Sequence, residues 1–108
     1  MANIKKWLED AVLEYGEPIE AIVVGRHYGL RWDEGLKLDN ENIVLSVEEG
    51  LSKLDQEFDD GFGGADCFPM YAWTKTRVFF IGEYDGSTEL EWVPRHPIAI
   101  APTFSGNA

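Results

Sequence analysis

The feature that most constrains this chain is the pair Asp85-Gly86, set between two alternating runs, Arg77 to Tyr84 and Thr88 to Val93. Asp-Gly suits the centre of a tight hairpin turn, where both positions need positive φ, and the flanking runs are rich in β-branched and aromatic residues. Tyr71-Ala72-Trp73 lies just upstream, across the turn Thr74-Lys75-Thr76, and extends the hairpin to a three-stranded antiparallel meander. Leu90 and Trp92 alternate with Glu89 and Glu91, which predicts one face toward the core and one toward water. Pro94, Pro97 and Pro102 then end the strand pattern, so residues 94–108 read as an extended surface tail with frayed final residues.

The first half of the chain supplies the cover for that sheet. Asn3 is a good N-cap, and Ile4, Trp7, Leu8, Ala11, Val12 and Tyr15 follow at helical spacing. Gly16 and Pro18 stop this helix, while Lys5 and Lys6 sit at its positive end at a small cost. Ile19 to Val24 reads as a strand bounded by Gly25. Between Gly25 and Asn42 the pieces Leu30-Arg31-Trp32 and Leu36-Lys37-Leu38 each alternate as short strands. Asp39 to Asn42 forms a turn before the apolar Ile43-Val44-Leu45. Ser46 and Glu49 have capping-box spacing, and Val47, Leu51, Leu54 and Phe58 share a face, predicting a second helix over 47–58. Gly50 weakens that helix by about 1 kcal/mol relative to Ala. The predicted fold is a single α+β domain over residues 1–108. Its two helices pack on a mainly antiparallel sheet through Ile4, Trp7, Leu8, Val47, Leu51 and Leu54, and the meander closes the chain.

Charge narrows the partners. Among 108 residues, 20 acids face 9 Lys and Arg for a net charge of −11, although hydrophobic residues reach 44%. A protein that neutralises phosphates needs clustered Lys and Arg, so nucleic acid and anionic lipid are poor partners. Apolar runs stop at a few residues, as in Val78-Phe79-Phe80-Ile81, short of the roughly 20 that a membrane span needs. No signal peptide is visible, and the single Cys67 cannot form an intrachain disulfide, which suits a cytoplasmic protein.

Catalytic and metal chemistry find little to build on. Asp55, Glu57, Asp59, Gly61, Gly63 and Asp66 fall on the odd and final positions of a calcium loop, making the four acids Asp55, Glu57, Asp59 and Asp66 candidate metal ligands. Asp60 stands where the sharp turn needs Gly, however, and Asp66 is shorter than the usual bidentate Glu. A helix end running into a solvated acidic loop explains the same residues. Cys67 could pair with His27 or His96 as a nucleophile, but both histidines lie in segments expected to be exposed, and no neighbouring cation lowers the thiol pKa. With three Cys and His residues in all, a zinc site lacks ligands. Gly61-Phe62-Gly63-Gly64 lacks the Lys-Ser or Lys-Thr of a phosphate loop. The expectation is a protein without cofactor and without enzymatic activity.

The acids and aromatics suggest binding instead. Phe62, Phe68, Tyr71 and Trp32 lie in or beside loops, and exposed aromatics rimmed by acids have the composition of an interaction hot spot. The acidic surface is expected at Glu48, Glu49, Asp55, Glu57, Asp59 and Asp60, with Phe62 as an apolar anchor, steering the chain toward a protein with a basic surface. Acidity is also a plain route to solubility.

The stretch Met70-Tyr71-Ala72-Trp73-Thr74, then Val78-Phe79-Phe80, Glu83-Tyr84-Asp85-Gly86 and Trp92-Val93-Pro94-Arg95 resembles the C-terminal hairpin of small uncharacterised acidic proteins of actinobacteriophages. The resemblance covers roughly a third of the chain. It implies a short accessory or inhibitor protein that binds a host protein in the host cytoplasm, and it transfers no site residues. The alternatives from other classes are a small divalent-metal-binding domain built on the 55–66 loop and an immunity or antitoxin protein. An open meander edge would also allow pairing with a second copy.

Overall fold

In the computed structural model, which describes residues 1–27, 40–61 and 63–107, Asn3 opens the first helix by accepting the Lys6 N–H on its side chain at 3.2 Å. This helix, α1 (Ile4–Tyr15), ends at Gly16, whose φ of 69° lets its N–H reach the Val12 carbonyl. A two-residue strand, β1 (Ala2–Asn3), precedes it. Downstream come β2 (Ala21–Val24), β3 (Val44–Leu45), α2 (Val47–Lys53), β4 (Glu57–Phe58), β5 (Met70–Trp73), β6 (Arg77–Tyr84) and β7 (Ser87–Pro94). The architecture is α+β. Five strands form an antiparallel sheet in the order β3-β2-β5-β6-β7, and β1 pairs with β4 beside it.

The meander follows the sequence reading. Asp85 and Gly86 take φ of 50° and 85°, and β6 and β7 pair in register from Arg77 opposite Pro94 to Tyr84 opposite Ser87. One row of cross-strand partners, Leu45, Ile22, Ala72, Phe79 and Trp92, runs across all five strands on a single face. Both helices cover that face. Ile4, Leu8 and Ala11 of α1 are buried, and its Tyr15 ring lies 6.0 Å from Phe79 and 6.1 Å from Trp92. On α2, Gly50 approaches β2 so closely that a Cβ there would fall 2.6 Å from Ile22 Cβ. The glycine that weakens the helix is what lets it dock.

Several expectations need correction. The second helix stops at Lys53 and does not reach residue 58. Beyond Leu54 the chain straightens to pair Glu57 and Phe58 with Asn3 and Ala2, which buries Phe58 edge-on against Trp7 at 5.4 Å. That burial replaces the last helical turn. The first long strand begins at Ala21, two residues later than its apolar pattern, although the Glu20 N–H already bonds the Trp73 carbonyl at 2.7 Å. Glu91, expected in water, is 4% exposed. It lies over Gly82, where a Cβ would come within 2.6 Å of its Cγ, so the missing side chain on β6 makes room for it. Burial, and then the hydrogen bond and charge of Glu89, push the Glu91 carboxyl above the ordinary carboxylate range. The tail does not fray at Asn107, which exchanges two backbone hydrogen bonds with Trp92 at 2.6 and 2.7 Å. The proposed short strands at 30–32 and 36–38 lie outside the described residues. Asn40 to Asn42 do turn, with φ of 67° and 64° at the two asparagines.

A polar clamp ties the end of α1 to the β5–β6 turn. Glu17 accepts hydrogen bonds from the Thr74 hydroxyl at 2.7 Å, the Thr76 hydroxyl at 2.6 Å and Arg77 Nη1 at 3.2 Å. These donors, the Thr76 hydroxyl foremost, lower its pKa to about 2. Beside the clamp, Arg95 Nη1 bonds Glu20 at 2.6 Å and the Thr74 carbonyl at 2.9 Å.

Candidate functional site

Helical periodicity places Trp7, Asp10, Ala11, Glu14 and Tyr15 along one strip of α1. Across from it stand Thr88, Glu89, Leu90 and Trp92 of β7, with Phe79 of β6 beneath and Asp60 at the side, enclosing a groove of about 330 Å³. Asp60 is held there because its carbonyl accepts the Thr88 N–H at 2.9 Å. Trp7, Tyr15, Phe79, Leu90 and Trp92 give the groove an apolar, largely aromatic floor. The exposed acids Asp10, Glu14 and Asp60 rim it, Glu89 borders it on β7 with its side chain on the other sheet face beside Glu91, and among the described residues no Lys or Arg lines it.

Two of these rings already carry a cation. The Arg77 guanidinium sits 4.1 Å from the Tyr15 ring centre and 4.6 Å from that of Trp92, while its charge is answered by Glu17. Two polar atoms of the groove's lining residues, Thr88 Oγ1 and Trp92 Nε1, are buried without a hydrogen-bond partner.

The acids singled out in the sequence are spread over α2, the loop that follows it and β4. Glu48 and Glu49 lie on α2, where Glu49 accepts from Asn40 Nδ2 at 3.4 Å and its N–H bonds Ser46 Oγ at 3.2 Å. Asp55 accepts from Asn3 Nδ2 at 2.9 Å and stands 3.9 Å from Lys5 Nζ. Glu57 is exposed on β4, and Asp59 folds back on the Gly61 N–H at 2.9 Å. Only Asp60 reaches the groove, and Phe62 lies outside the described residues. Among the described residues, no group of three His, Cys, Asp and Glu side chains gathers as a metal site, so Asp55, Glu57, Asp59 and Asp66 do not converge.

Asp66 instead lines a second recess, of about 170 Å³, with His27, Glu57 and Cys67. His27, expected to be exposed, is buried beneath the Phe68 ring and places Nε2 3.6 Å from Asp66 Oδ1. Cys67 and His27 thus line one recess, with the imidazole turned to Asp66. The thiol, however, is pushed up to about 11, by burial first and then by the charges of Asp66 and Glu83. At neutral pH Cys67 is therefore protonated and a poor nucleophile. His96 is exposed on the tail.

The groove residues Asp10, Glu14 and Glu89 were not singled out from sequence. Their signal was available in part: two acids interleaved with Trp7, Ala11 and Tyr15 at i, i+3 and i+4 spacing mark a helix face that is neither simply buried nor simply solvated. Among the described residues no helix is long and apolar enough to cross a membrane. Comparison with protein-family models, with curated proteins and with solved structures returns no match to the chain.

Proposed function

We propose that this chain is a non-enzymatic binding module that captures a positively charged segment of a protein partner in the groove between α1 and β7. The observation that carries the reading is the convergence of Asp10, Glu14 and Asp60 around an aromatic floor that no Lys or Arg lines among the described residues. Carboxylates crowded at the rim attract a basic group, and the apolar floor rewards the aliphatic stem that brings it. The net charge of −11 steers such a partner from a distance. The partner is a host protein if the chain is phage-encoded, as the hairpin's resemblance implies. The protonated Cys67 weighs for binding over nucleophilic catalysis.

Affinity capture from host lysate at low and high salt, with mass spectrometry of what is retained, tests the reading. A basic protein is expected to be held at low salt and released at high salt. The paired reversal Asp10→Lys with Glu14→Lys should weaken its capture by about tenfold or more and flatten the salt dependence. Reversal of Glu48 and Glu49 on α2 should leave capture intact. Equal capture by the groove variant, with an unchanged salt slope, would overturn the assignment.

A further inference from the structure

We draw no further inference here: the strongest candidate, the apolar face of the five-stranded sheet turned away from both helices, where Val44, Val23, Tyr71 and Phe80 stand in one cross-strand row, carries nothing because nothing in the structure shows what covers it.

Discussion

Replacing Glu17 with Gln tests the clamp that joins α1 to the β5–β6 turn. The carboxylate accepts from two threonine hydroxyls and one guanidinium, so each oxygen faces donors. Gln keeps one acceptor and turns an amide N–H₂ toward groups that are themselves donating. The drop of the Glu17 pKa from 4.5 to about 2 sets an upper bound of about 3 kcal/mol on what ionisation contributes to the folded state. The side chain keeps 19% exposure, so water screens part of this and the expected cost is about 2 kcal/mol. For a domain of this size that lowers Tm by roughly 8–15 °C. Because the folded pKa is depressed, the contribution is fully present above the unfolded value of 4.5 and is lost as pH falls toward about 2. Urea unfolding of both proteins at a series of pH values should therefore show a full difference at neutral pH that shrinks steadily below 4.5, with an unchanged m-value. A loss under about 0.5 kcal/mol at neutral pH, or a difference that stays constant into acid, would refute the clamp's energetic role.

Three further outcomes are expected. Gly50→Ala should destabilise by about 1–3 kcal/mol in chemical unfolding despite its better helix propensity, because its Cβ would collide with Ile22; a more stable variant would show that α2 docks otherwise. Glu91→Gln should stabilise the protein at neutral pH, since a raised folded pKa makes the charged form a liability above the ordinary carboxylate range. The gain should vanish in acid, where both states are protonated, and its absence at neutral pH would refute the burial argument. Cys67 in the native protein should react with a disulfide reagent at least about tenfold more slowly than in urea, and equal rates would contradict its burial and raised pKa.

What could be read from sequence was what is encoded within a few residues. Asn3 and Gly16 announce the two ends of α1 through local hydrogen bonds, and Asp85-Gly86 announces its turn through φ. What could not be read depends on segments that meet in space. The helical face ending in Phe58 satisfies a local pattern, but pairing with Ala2 and Asn3, more than 50 positions away, takes that residue into a strand. Gly50 looks like a defect until Ile22 is placed against it, and Glu91 looks solvated until its side chain is laid over Gly82. The acidic stretch 48–60 looked continuous because sequence shows adjacency and not direction. Folded, its members have different neighbours, and the groove draws Asp10 and Glu14 together with Asp60 from segments whose juxtaposition no short window contains.

The return of the tail to Trp92 also bears on what the outer edge of the sheet offers to another chain. An outer strand ordinarily offers a row of free amides as a template for a neighbouring chain. Along β7, the Thr88 N–H is taken by the Asp60 carbonyl, the Trp92 N–H by Asn107, and Pro94 has none to give. Strand addition there would have to displace a loop and the chain's own end before gaining its first bonds. Removing the residues after Thr103 would free both backbone groups of Trp92 at once, turning a guarded border into a seed for aggregation beside the groove between α1 and β7.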